Sequence, residues 1–154
     1  MALYRTNIAS LQIPETWKDQ SISAFRLPAP PGGGADASFV VTRDDAKGVK
    51  AFEAYVAEQV EACRRSLPDF TLLKSEMVSV QGLAAAWVEF TWAKDGADLF
   101  LRQVYFDCGF FVTICTLTTT PRDLPYFDPA WHGVMASLTF DRPEAIPAFQ
   151  PQGR

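Results

Sequence analysis

The stretch from Leu83 to Leu117 most constrains what this chain can become. It holds three runs, LAAAWVEFTW, DLFLRQVYF and FFVTICTLT, dense in aromatic and β-branched residues and separated by Asp-Gly and Cys-Gly turn signals. That pattern predicts an antiparallel meander. Period-two alternation puts Leu99, Leu101, Gln103 and Tyr105 on one face of the middle run, and Phe100, Arg102, Val104 and Phe106 on the other. The third run is also two-sided, with Phe110, Val112 and Ile114 opposed to Phe111, Cys115 and Leu117. Neither face of the sheet is polar, so both must be covered.

The flanking segments supply the cover. Leu3 to Ile13 alternates loosely and ends at Pro14, which predicts one or two short strands stopped by a residue that cannot donate to a ladder. A strand over about 20–27 and a second in SFVVTR form a hairpin around PAPPGGGADA, whose prolines and glycines leave it as a loop. From Asp44 to Leu67 the period becomes helical. Asp44 or Asp45 is the expected N-cap, and Val49, Phe52, Val56, Val60, Cys63 and Leu67 form one stripe before Pro68. Gln59 borders that stripe. DFTLLKSEMVSV reads as a further strand, with Gln81-Gly82 the turn into the meander, and a short helix is expected around Pro129 to Ala136. The prediction is an α+β domain over residues 1–140: an antiparallel sheet, a long helix on one face, a short C-terminal helix, and a Pro-rich tail at 141–154, docked or disordered. Two helices cannot easily cover both faces, which leaves apolar sheet surface for a partner or a second copy.

Composition narrows the function. The formal net charge is −4 and no Lys/Arg cluster occurs, so the electrostatic footprint of a nucleic-acid or anionic-membrane binder is missing. MALYRTNIAS lacks the pattern of a secretory leader and no run approaches the ~20 apolar residues of a membrane span, so a cytosolic protein that is not membrane-inserted is expected. Cys63, Cys108 and Cys115 form no CxxC pair and read as buried free thiols.

Enzyme signatures are weak. His132 stands alone beside Trp131, which suits helix packing or the surface better than catalysis. No HExxH, Cys/His cluster or carboxylate repeat suggests a metal, and Gly32 to Gly34 sit between strands with no Lys-Ser/Thr after them, so no metal or cofactor is expected. Gln59 and Gln103 stand out, because a buried, unsatisfied amide costs about 1–3 kcal/mol and needs a partner. Either the amides are solvated or bonded internally, or they wait for groups on a client lying over the apolar face.

The segments IPETWKDQSIS (Pro14, Trp17, Asp19, Ser21), AFEAYVAEQVEACRRSLPDFTLL, the glycine before LAAAWVEFTW, and LFLRQVYF resemble the DcrB-like group with a PsbP-like fold, and within it the Eag chaperones of type VI secretion. The similarity runs from about Leu3 to Phe140. It implies a PsbP-like sandwich and a cytosolic homodimeric chaperone. The client would be the hydrophobic N-terminal transmembrane helices of a Rhs/PAAR effector, shielded before loading on the secretion spike. Carried over by position, the resemblance implies a groove with Gln59 and Gln103 as its polar groups and Ile22, Ala24, Val40, Cys63, Leu67, Leu99, Tyr105 and Ile114 as its apolar lining. The alternatives are a small-ligand-binding or assembly-factor domain of the PsbP-like type and, third, a hydrolase using His132.

Overall fold

A computed structural model describes residues 1–6 and 8–140; the segment expected to be a tail, 141–154, lies outside the described residues. A hairpin of β1 (Ala2–Arg5) and β2 (Ser10–Ile13) forms a two-stranded sheet. The main sheet has six antiparallel strands: β3 (Ile22–Leu27), β4 (Ala37–Asp44), β5 (Thr71–Val80), β6 (Leu83–Lys94), β7 (Ala97–Asp107) and β8 (Val112–Thr119), in the spatial order β3-β4-β8-β7-β6-β5. The meander β5–β8 follows the sequence-based expectation, and the β3–β4 hairpin joins it through β4 against β8. The turns Gln81-Gly82 and Asp95-Gly96 both have positive φ at their two central residues, the conformation that matches the twist of a two-residue hairpin.

Helix α1 (Phe52–Ser66) packs on one face of this sheet and α2 (Leu124–Ser137) on the other, giving the expected α+β sandwich. On the α1 face, Phe52, Tyr55 and Val56 close over Ala86, Val88, Phe90, Tyr105 and Val112. On the α2 face, Phe127, Trp131 and Met135 close over Ala85, Val104, Phe106, Cys115 and Leu117. Each such large apolar side chain contributes roughly 2 kcal/mol by leaving water.

Two helix boundaries differ from the sequence reading. α1 does not begin at Asp44 or Asp45, because the β4–β8 ladder runs on to the Asp44↔Val112 pair and Gly48 then takes a left-handed turn. The N-cap is Ala51, without a side-chain cap, and Val49 is fully exposed. The carboxylate of Asp44 instead accepts the Tyr55 hydroxyl at 2.5 Å, and Tyr55, outside the expected stripe, is among the most buried residues. α2 begins at Leu124, with Pro125 in its first turn and Pro129 inside it. The Gly32–Gly34 loop is more than a linker. Gly34, at φ +120°, lies where a Cβ would come within 2.9 Å of the Asp123 carboxylate, and Asp123 accepts the Ala35 N–H at 3.1 Å.

One charged cluster is buried on the α2 face. Arg102, 6% exposed, donates from Nε to Glu89 Oε2 and from Nη1 to Asp128 Oδ1, both at 2.7 Å, with the Trp87 and Trp131 rings beside its guanidinium. The cluster ties β6, β7 and α2 together. The hydrogen bond from Arg102 holds the Asp128 carboxyl below the usual carboxylate range. A carboxylate with a depressed folded pKa stabilises above its unfolded value and loses that contribution as pH falls through the folded one. Urea denaturation should show Arg102→Ala destabilised by about 3 kcal/mol, because the half-buried Glu89 loses its cationic partner and is left with the Trp87 N–H at 2.8 Å. Asp128→Asn should flatten the loss of wild-type stability below about pH 4 while leaving the profile above pH 5 parallel.

Candidate functional site

The α1 face is only partly covered by α1. The cluster beneath the helix draws on β5, β6, β7 and β8 and includes no residue of β3 or β4. Strand register assigns what lies on the same face beyond it. One cross-strand row runs Ile22, Thr42, Ile114, Tyr105; the next Ala24, Val40, Thr116, Gln103; the next Arg26, Ser38, Thr118, Leu101. Ile22 is 64% exposed, Ala24 is exposed, and Val40, Thr42, Ile114, Thr116 and Thr118 are half-buried. The result is an open strip three strands wide, with Ile22 and Ala24 at its outer edge and Arg26 at one end, threaded with small hydroxyl side chains, and bounded by α1.

All ten residues expected to line a groove fall on this face. Ile22, Ala24, Val40, Ile114 and Gln103 lie on or beside the strip. Gln59, Cys63 and Leu67 are half-buried and continue at four-residue spacing from Tyr55, a ridge along the helix. Leu99 is half-buried on β7. Tyr105 differs from the expectation of a groove wall: it is 2% exposed, packed edge-on against Tyr55 at 6.2 Å beneath α1. Burial raises its phenol pKa well above the ordinary value, with the nearby Cys63 and Asp44 adding to the shift.

The two glutamines are not equivalent. Gln103 is partly satisfied from within, accepting the Tyr105 hydroxyl on Oε1 at 2.7 Å and donating from Nε2 to Thr116 Oγ1 at 3.3 Å. The Gln59 side chain makes no hydrogen bond to another described residue. Sequence reading missed Thr42, Thr116 and Thr118. The alternation in TICTLTT does place Thr116 and Thr118 with Ile114, but only the β4–β8 pairing brings Thr42 and Val40 alongside.

A second apolar recess lies on the opposite face. Phe25, Leu27, Phe39, Leu117, Ala130, Trp131 and Val134 enclose about 350 Å³ between β3, β4 and α2. That volume admits a few side chains or a small molecule, whereas a ~20-residue helix is about 30 Å long. His132 sits nearby, its Nε2 3.4 Å from Asp128 Oδ2 and its ring stacked on Trp87, with no hydroxyl or thiol of a described residue bonded to it. No group of three His, Cys, Asp or Glu side chains suited to a metal ion occurs among the described residues, and no helix among them is long and apolar enough to cross a membrane.

The family model described as DcrB matches residues 9–137. A Pseudomonas aeruginosa protein named effector EagT6 is 46% identical over 138 residues, 90% of this chain and 95% of the relative. Among solved structures, PA94 from Pseudomonas aeruginosa, of unknown function, superposes with a TM-score of 0.83 at 44% identity, over 92% of this chain and 98% of that one. LpqN of Mycobacterium tuberculosis shares the fold alone, at 13% identity and a TM-score of 0.51 over 80% of this chain and 85% of that one.

The ridge geometry orders the thiols. Burial pushes all three cysteine pKa values up, that of Cys115 to about 11, but Cys63 alone is half-exposed. A maleimide at pH 7 should modify Cys63 first, with Cys108 and Cys115 reacting only after unfolding. Early labelling of Cys115 by mass spectrometry would contradict this packing.

Proposed function

Because the chain belongs to the DcrB family, we propose that it is a type VI secretion chaperone, non-enzymatic, whose open sheet strip shields the hydrophobic N-terminal helices of an effector. The observation that carries the reading is the strip itself: a sheet surface in which Ile22, Ala24, Val40 and Ile114 lie among threonines, and which the protein's own helix borders and does not cover. Its dimensions suit the client. Three strands at ~4.8 Å spacing give about 10–14 Å of width, and the eight residues of β4 span roughly 26 Å, close to the diameter and length of one membrane-spanning helix. One protomer thus accommodates one helix.

A helical hairpin as client would need two protomers, and a homodimer is part of the proposal. Leu3, Leu11 and Trp17 on and beside the β1–β2 hairpin are exposed, and β3 is an edge strand on which Ile22 is also exposed. Such surfaces suit a second copy of the chain. The recess beside α2 is the one observation that favours a small-ligand-binding reading, in which Phe25 and Val134 would line the site.

Co-expression with the N-terminal apolar region of a neighbouring PAAR/Rhs effector tests the proposal. Wild type should co-purify with it, and light scattering of the chaperone should give twice the chain mass. Ile114→Asp or Leu99→Asp should abolish retention, since a carboxylate would be desolvated under an apolar helix. Gln59→Ala with Gln103→Ala should weaken it by about 1 kcal/mol per glutamine. His132→Ala should have no effect. Normal folding with full retention in the aspartate variants would remove the strip from consideration.

A further inference from the structure

The recess on the α2 face stands open to water. Phe25, Phe39 and Trp131 wall it, with successive ring contacts at 6.3 and 5.8 Å, and Ala130 and Val134 close its helix side. At its mouth Phe25 is 58% exposed and Val134 is 40% exposed. Phe, Leu, Ala, Val and Trp side chains make the whole lining, so an apolar group entering the recess is favoured.

The chain itself leads towards this recess. After α2, Leu138 and Phe140 pack on the same core, and the Phe140 ring rests on Phe106 at 5.1 Å. Residues 141–154 therefore start from a fastened point on the α2 face. Phe106 pairs with Thr113, and Leu117 lies four residues further along β8, about 14 Å away. From β7 to Phe25 on β3 is three strand spacings, also about 14 Å. The mouth is thus about 20 Å from Phe140. Six residues of polyproline-like chain at ~3.1 Å each span about 19 Å, which brings Ile146 to it.

The sequence beyond Phe140 suits such a seat. DRPEAIPAFQPQGR has Pro143, Pro147 and Pro151 at four-residue spacing, and Ile146 and Phe149 are its two large apolar residues. A polyproline helix has three residues per turn, so Pro143, Ile146 and Phe149 fall on one edge, with Ile146 and Phe149 about 9 Å apart. Asp141, Arg142, Glu144 and Gln150 fall on the other two edges. Proline carries no N–H that an apolar wall would leave unmet, and its fixed φ lowers the entropy lost on docking. Proline-rich segments bind grooves lined by aromatic rings for these reasons.

We propose that the C-terminal segment straps across the α2 face, with Ile146 at the mouth beside Val134 and Phe25, and Phe149 in the recess against Phe39 and Ala130. The recess is then filled from within the chain. With the strap seated, the strip beside α1 is the apolar sheet surface left for a client, although the strap itself does not depend on that reading.

The test uses the full chain carrying Cys63→Ser, Val134→Cys and Ala148→Cys, oxidised with copper phenanthroline at micromolar protein, and mass spectrometry reads the disulfide between positions 134 and 148. The pair should close within one chain. Adding Ile146→Ser and Phe149→Ser should slow closure about tenfold, because an unseated segment meets position 134 only by chance. In an otherwise native chain, Ile146→Ser with Phe149→Ser should raise the fluorescence of anilinonaphthalene sulfonate several-fold while circular dichroism stays unchanged. Equal closure rates with and without the serine substitutions, or equal dye fluorescence, overturn the strap. Disulfides formed mainly between chains overturn it and assign the recess to a second copy. A small apolar molecule retained by the wild type in native mass spectra overturns it in favour of a ligand.

Discussion

Everything in this structure follows from a central strand that is apolar on both sides. β7 offers Leu101 and Tyr105 to one face and Phe100, Val104 and Phe106 to the other, and a sheet built around it is stable in water only when both faces are roofed. The chain provides one helix for each face. Neither is wide enough for six strands, since a helix of ~10 Å spans about two strand spacings. On the α1 face the shortfall collects at the β3–β4 end, where the hairpin extends past the helix, whereas on the other face α2 packs against Leu27 and Phe39 of that hairpin; it is the uncovered surface beside α1 that the client is proposed to occupy.

The two faces treat polar groups differently. On the α2 face, Arg102 has its charge answered within the fold by Glu89 and Asp128, and aromatic rings fill the space around it. On the α1 face, the Gln103 amide is only half answered within the fold, and the Gln59 side chain has no hydrogen-bonded partner among the described residues. A closed core needs the first arrangement. A surface that exchanges water for a partner can carry the second, because its unmet groups remain hydrated until the partner arrives.

Much of this was legible in the sequence. Alternation assigned the faces of β7, and the Gln-Gly and Asp-Gly turns placed the meander. The ten residues expected at the groove share one face because period two and period 3.6 leave little freedom once the strands and helix are set. The failures have physical causes. Asp44 looks like a cap but is held by strand pairing with Val112, so α1 starts at Phe52 and Val49 is left in water. Pro129 looks like a helix start but lies inside α2, which begins with Pro125 in its first turn. Alternation puts Tyr105 on the face of Gln103 and the resemblance implies it as groove lining, and only the position of α1 shows it buried. The pairing of β4 with β8, which assembles the strip, is a long-range choice that no local pattern encodes.

The most direct test of the central claim is site-specific photo-crosslinking, with a photoreactive residue placed at Val40 on the α1 face or at Val134 on the α2 face, in complex with the effector's N-terminal apolar region. The account predicts client adducts from position 40 and none from position 134. Adducts from 134 with none from 40 would put the client in the recess beside α2 and contradict it.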